Sequence, residues 1–414
     1  MGFTYSVATI RYAILMVIFG LNSLRGCALN FKFFSNVLKD GLPSWTVIQN
    51  WILRFGLYKL LKPLPRRKDW IWIIDHTIEF GTKKCMVILA ISCEAFNRNN
   101  YKLCHRDMEV AAIDIQEKAT GENINKTLKT LSERMGKPKQ IVSDNCRNIK
   151  KGIRLFKKKS RKTVVTYDIT HKVANELKDL LEKNKRWKLF AEKMRTTKRR
   201  SIYTIFMCIA PRKPREKSRW LNIDQDLKWA ENILKNKPKP HLGRLTNRHK
   251  KFRELFGWLD EFKEDLIEWR EFIDIITIAQ KEVKWNGLNK QTPGKFAEAV
   301  RNICNNKKSD LLKEKMISFF EEEVKQFPKK DITLLGTSDI IESIFGKYKI
   351  FSAKTPIKEI SKSILTIPIL TSEVTDIEVK KAMETITTET LSKWAKENLG
   401  ESILSKRKQI FNQL

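Results

Sequence analysis

The chain is short of acidic groups: among 414 residues, 47 Asp and Glu stand against 81 Lys and Arg, a formal charge of +34. Such a charge repels itself until something anionic is bound, which puts nucleic acid first among partners and an anionic membrane second; a small-molecule enzyme has no need of it. Cysteine is sparse as well. The seven cysteines are scattered, odd in number and never spaced as CxxC, which argues against a zinc knuckle or disulfide framework and fits a reducing compartment. No apolar run is long enough to cross a membrane. Val7 to Leu21 comes nearest, but Arg11 interrupts it and it falls short of the ~20 residues a span needs. It also has no basic n-region or clear cleavage site, so a cytoplasmic protein is expected. No fixed-period repeat is evident. What is present, 42% apolar residues, is enough for a real core in two or three folding units and argues against global disorder.

Residues 1–61 read as three helices. One spans Ser6 to Phe19, a shorter one runs through Ser23 to Ala28, and a third follows the Gly41/Pro43 turn with Ser44 as its cap. Trp45, Ile48, Trp51, Ile52 and Phe55 form an apolar stripe on the third. Three short helices, the last bearing Trp45, Gln49 and Asn50, suit either a helix-turn-helix DNA-binding domain or a plain helical packing unit. Residues 62–68 are a basic, Pro-rich linker. The period then changes. Strands are expected at Trp70–Ile74, Lys84–Ile91, Val110–Ile115, Gln140–Ser143 and Thr163–Tyr167, with helices at Gly121–Met135 and Asn148–Lys159. The order β-β-β-α-β-α-β predicts an α/β fold, a mixed sheet with helices on its faces. From about 172 to 330 the pattern is helical. Lys183–Lys250 holds 21 basic and 5 acidic residues, whereas Glu254–Glu282 holds 3 and 9. Leu255, Trp258, Leu259, Phe262, Leu266, Trp269 and Ile273 predict one core-forming helix with an acidic outer face. A helix from Gly336 to Phe351 and a last one from Glu389 to Gln413 complete the reading.

Two carboxylates occupy matching places: Asp75 ends the first strand and Asp144 the fourth. Strand ends open into a crevice where ligands gather. Carboxylates that converge there repel one another unless a divalent cation lies between them, and oxygen-only ligands select Mg²⁺ or Mn²⁺. Glu342 is the third candidate; Gly346 and Lys349 lie one and two turns further along the same helix face. Plainer roles suit the same residues, with Asp75 and Asp144 as turn residues and Glu342 as the end of a capping box begun at Asp339.

Three segments carry a resemblance. They are Trp70-Ile71-Trp72-Ile73-Ile74-Asp75-His76-Thr77, Gln140-Ile141-Val142-Ser143-Asp144-Asn145 and Ser338-Asp339-Ile340-Ile341-Glu342-Ser343-Ile344-Phe345-Gly346-Lys347-Tyr348-Lys349. Together they resemble the transposases of bacterial insertion sequences in the DDE, or retroviral-integrase-like, superfamily. The resemblance implies a ribonuclease-H-like catalytic core at 69–180 and 331–352, interrupted by an all-α basic insertion at 181–330, with a helix-turn-helix-like domain at 1–61 and an extension at 353–414. It implies Asp75, Asp144 and Glu342 as catalytic residues holding two Mg²⁺ or Mn²⁺ ions; Asp168 also ends a strand and competes with Asp144 for the second place, strand order favouring Asp144, and Asp168 and His171 are otherwise auxiliary. The implied activity is a transposase that nicks transposon ends and joins the 3′-hydroxyls to target DNA. A silent, domesticated DNA-binding protein and a metal-dependent nuclease without strand transfer are the alternatives. The implied partner is double-stranded DNA, bound by a homodimer associated with the nucleoid, with no membrane and no small-molecule substrate. Trp45, Gln49, Asn50, Lys347 and Lys349 would touch DNA, as would, as a class, the basic residues Arg186, Arg195, Lys198, Arg199, Arg200, Arg212, Lys213 and Arg215. One branch of the family has Tyr-x2-Arg-x3-Glu-x6-Lys around its Glu; Glu342 and Lys349 keep that spacing, while Leu335 and Ser338 hold the Tyr and Arg places.

Overall fold

The computed structural model describes residues 5–33, 41–80, 83–144, 146–212, 220–238, 246–303, 306–328, 332–352 and 359–413. The chain divides into two compact units, residues 1–166 with 337–414, and residues 167–336.

The first unit begins with α1 (Val7–Ile18), α2 (Leu24–Phe33) and α3 (Trp45–Leu61). Ser6 and Ser44 cap α1 and α3 by accepting from Thr9 N and Val47 N, satisfying amides that a helix start leaves open. There follow β1 (Trp70–Phe80), β2 (Lys83–Ser92), α4 (Cys93–Arg98), β3 (Glu109–Gln116), α5 (Gly121–Met135), β4 (Gln140–Ser143), α6 (Arg147–Lys157) and β5 (Val164–Tyr167). The sheet runs β3-β2-β1-β4-β5. β1 is antiparallel to β2 and parallel to β4, and β2 is antiparallel to β3, so the sheet is mixed. Because side chains alternate along a strand, Trp70, Trp72 and Ile74 of β1 share one face. There they join Ile124 and Leu128 of α5 and Ile149, Ile153 and Phe156 of α6 in one core. β1 does not stop at Asp75 as the apolar run suggests; it pairs with β2 as far as Phe80, with a register shift between His76 and Ile78. Sequence marks where the buried run ends, not where the hydrogen-bond ladder ends.

The second unit is helical: α7 (Ile169–Leu181), α8 (Lys185–Ser201), α9 (Ile223–Lys235), α10 (Asn247–Phe256), α11 (Lys263–Asn286), α12 (Thr292–Ala299) and α13 (Lys307–Lys325). The single helix expected over 254–282 is in fact two, joined by a 3₁₀ turn at Gly257–Phe262; the apolar period survives the joint because Leu259 and Phe262 remain buried. Trp187, Phe190, Trp258, Phe262 and Trp269 pack with ring centroids 4.9–6.3 Å apart, so the tryptophans of this segment are chiefly core. The chain enters and leaves the unit side by side: Ile169 N donates to Gly336 O at 2.9 Å, and Leu288 and Leu334 form an antiparallel bridge.

Back in the first unit come α14 (Asp339–Ser352), α15 (Thr366–Leu370), α16 (Asp376–Thr385), α17 (Thr388–Leu399) and α18 (Ile403–Gln413). The last helix of the sequence reading is broken at Gly400, whose φ of +68° a helix cannot carry. Residues 1–61 do not stand apart as the linker suggests; α3 packs on α15, α16 and α17. Arg54 donates to the carbonyls of Met383 and Ile386, and Lys59 bonds Glu378 at 2.9 Å. Gly56 permits the approach, since a Cβ there would overlap the Leu365 carbonyl. Among the described residues no helix is long and apolar enough to cross a membrane.

Candidate active site at the end of the parallel ladder

Parallel pairing of β1 with β4 sets Ile74 opposite Ser143. Asp75 and Asp144 are the next residues, one step beyond the last paired positions of two neighbouring strands. By alternation both belong to the face opposite Trp72 and Ile74, the face not covered by α5 and α6. α14 packs on β1, and none of its residues belongs to the core shared with α5 and α6. Ile341, Ile344, Phe345 and Tyr348 of α14 are buried while Glu342 is half-buried, so the carboxylate is carried at the edge of the packed stripe. A Cβ on Gly346 would meet nothing within 4 Å, which keeps the turn after Glu342 open. Lys349, one turn further, is exposed.

Local bonds fix both aspartates. Asp75 Oδ1 accepts from His76 N at 2.6 Å, and Asp144 Oδ1 from Cys146 N at 2.9 Å. The bulge just after Asp75 is the kind of irregularity that re-aims side chains beside functional sites. Asn145 lies outside the described residues.

α14 is secured by a contact with no trace in the sequence pattern. His105, in a single 3₁₀ turn ahead of β3, bonds Lys347 Nζ through Nδ1 at 2.9 Å and Ser343 Oγ through Nε2 at 3.0 Å. An ammonium can only donate, so Nδ1 accepts and Nε2 carries the proton given to Ser343. Burial, then the Lys347 charge, lowers the pKa of His105 and keeps the ring neutral. No spacing rule links His105 to residues 238 and 242 positions away.

Asp168 and His171 belong to the second unit. Asp168 is fully buried and caps α7, accepting from Thr170 N at 2.9 Å. His171 Nε2 lies 3.8 Å from its other carboxylate oxygen, and a carboxylate and an imidazole this close can share a divalent metal.

The expected DNA contacts divide. Trp45, Gln49 and Asn50 line a cavity of about 1120 Å³ with α17 and α18. Asn50 Nδ2 donates to Thr388 Oγ1 at 3.3 Å, and its Oδ1 is buried without a partner; a helix that reads a groove holds such groups on open surface. Arg212 is spent internally on Asp226, Asn222 and Gln225, and Arg200 on Glu254. Arg199 is exposed. Lys213 and Arg215 lie outside the described residues.

No protein-family profile matches the chain, and no curated protein matches its sequence. Among solved structures, one similar in shape is the Drosophila P element transposase strand transfer complex, aligned over 94% of this chain and 94% of that chain at 12% identity and a TM-score of 0.38. A likeness of that degree leaves the chemistry to be argued from this chain's own residues.

Proposed function

We propose that the protein cuts and joins DNA strands by metal-dependent phosphoryl transfer, as a DDE-type transposase, with Asp75, Asp144 and Glu342 as its catalytic carboxylates. The observation that supports the reading is the β1–β4 register, which sets two aspartates at adjacent strand ends, together with the packing of α14, the helix of Glu342, on β1. The donor set fits the implied metal: three carboxylates, with neither thiolate nor imidazole, suit Mg²⁺ or Mn²⁺. Asp75, Asp144 and Glu342 would hold such ions, whose chemistry there would be activation of an attacking water or DNA 3′-hydroxyl and stabilisation of the leaving oxygen. Hydrogen bonds donated by the His76 and Cys146 backbone amides hold the two aspartate side chains. Lys347 and Lys349 set positive charge beside Glu342 for the phosphates of the strand being cut. Neutral His105 accepts from Lys347 and keeps its ammonium on α14. No serine or tyrosine nucleophile is needed. Nicking at transposon ends, joining to target DNA, and a homodimer that pairs two ends follow from the same reading.

The test uses the full chain and a labelled duplex carrying the DNA that flanks its gene on either side, where the reading expects inverted repeats. Mg²⁺-dependent release of a 3′-hydroxyl end, then its joining to a second duplex, is expected; EDTA and Glu342→Gln abolish both while duplex binding persists. Cleavage without joining would reduce the protein to a nuclease. Binding without any cleavage would make it a silent DNA-binding relic.

A further inference from the structure

The stretch Arg147–Lys162 carries nine basic residues and no acidic one. It forms α6 and the turn leading to β5. The inner side of α6 is spent in the sheet core through Ile149, Ile153 and Phe156. The outer side exposes Arg147, Lys150, Lys151, Arg154 and Lys158. Arg147/Lys151, Lys150/Arg154 and Arg154/Lys158 are like charges four residues apart, an arrangement that destabilises a helix in isolation. Only Lys151 of these five has a carboxylate, Glu122 at 2.6 Å; among the described residues none pairs with Arg147, Lys150, Arg154 or Lys158.

We propose that the outer face of α6, continued by the turn to Lys162, is a binding surface for the phosphate backbone of duplex DNA. The choice of DNA among polyanions rests on the strand-processing reading above. An α-helix of 11 residues is about 16 Å long, and duplex DNA presents one phosphate per ~1.7 Å of its axis. About five phosphates of one strand, at ~3.4 Å each, therefore pass alongside a face on which, among the described residues, Glu122 at Lys151 is the competing anion. A bilayer fits worse, because surface-bound helices insert an apolar face and that of α6 is already buried. Position favours the same partner. α6 starts three residues after Asp144, whose Oδ1 accepts from the amide of the cap residue Cys146. A backbone lying along α6 is thereby led toward the end of the β1–β4 ladder.

The experiment measures binding of the full chain to a labelled duplex of arbitrary sequence, by anisotropy across a KCl series. In the variant Arg147→Ala/Lys150→Ala/Arg154→Ala/Lys158→Ala, the slope of log affinity against log salt is expected to fall by about three to four, at ~0.9 for each phosphate no longer neutralised. A matched variant, Lys183→Ala/Lys185→Ala/Lys188→Ala/Lys235→Ala, removes equal charge from exposed positions of the second unit and is expected to keep a near wild-type slope. The α6 variant should melt no lower than wild type, since it relieves like-charge repulsion. Should it fail to fold, Lys150→Gln/Arg154→Gln is expected to lose about two units of slope. Equal loss in both four-fold variants would reduce the effect to net charge and overturn the proposal, as would an unchanged slope or a loss confined to phosphatidylserine vesicles or single-stranded RNA. These results leave the catalytic reading standing, because cleavage is scored separately. A wild type that binds no duplex at all would overturn both.

Discussion

Two basic helices, α6 and α8, look alike in sequence and differ in their surroundings. α8 opens the most basic stretch of the chain, yet three of its eight cations are answered within its own unit by α10, α11 and the turn between them. Arg186 meets Asp265 at 2.7 Å, Lys193 meets Glu261 at 2.8 Å, and Arg200 meets Glu254. Arg186 also lies over the Phe262 ring, 4.3 Å from its centroid. Part of the basic run at 183–250 is therefore packed against the acidic run at 254–282. On the outer face of α6, among the described residues, Lys151 pairs with Glu122 and no carboxylate pairs with Arg147, Lys150 or Arg154. A basic run therefore points to nucleic acid only once its neighbours in space are known.

The contrast between the helices depends most on the aromatic core beneath α8. Trp269 is buried against Trp187 and Phe190. Trp269→Ala is expected to cost about 3–5 kcal/mol in urea unfolding and, by loosening α8 from α11, to steepen the salt dependence of duplex binding. A loss below about 1 kcal/mol would contradict the role given to this cluster.

A milder variant keeps the core and removes the anions. Glu254→Gln/Glu261→Gln/Asp265→Asn frees Arg200, Lys193 and Arg186. These pairs are solvent-exposed, so the expected cost to stability is small. The salt slope should rise by about two to three as α8 comes to resemble α6. An unchanged slope would mean that α8 lies beyond the reach of bound DNA.

Acid should make the same change gradually. Hydrogen bonds from Lys251, with the Arg200 charge, hold the Glu254 carboxyl below its ordinary value; Lys237 and Lys263 do the same for Asp260. A carboxyl with a lowered folded-state pKa contributes stability that is present above its unfolded value, ~4, and is lost as pH falls through the folded value. Melting temperature should therefore drop as pH falls below about 4. Because Glu254→Gln removes a group that titrates there, that variant should show a shallower drop.

Much of the first unit is legible in the sequence because its signals are local. Helix Gly121–Met135 and strand Gln140–Ser143 fall where apolar period and turn residues put them. Asp75 and Asp144 stand out because each follows a buried apolar run. Other features depend on partners far along the chain. The Gly56 approach to residue 365, the α3 contacts that draw residues 1–61 into the unit, and His105 between Ser343 and Lys347 leave no periodic trace. The internal use of Arg200 and Arg212 is hidden for the same reason: charge is visible in sequence, and its neutralisation is not. The turn at Gly257–Phe262 escapes a periodicity reading because a 3₁₀ segment preserves an apolar spacing close to that of an α-helix.

The decisive experiment on the carboxylates at the ladder end sets Asp144→Asn beside Asp168→Asn in the full chain and measures Mg²⁺-dependent nicking of a duplex together with binding of that duplex. Asp144→Asn is expected to bind normally and to lose nicking by about a thousandfold or more, the ~4 kcal/mol that loss of a catalytic ligand removes, while Asp168→Asn retains measurable nicking. Nicking that survives in Asp144→Asn would show that the carboxylates at the end of the parallel ladder are not the catalytic ones.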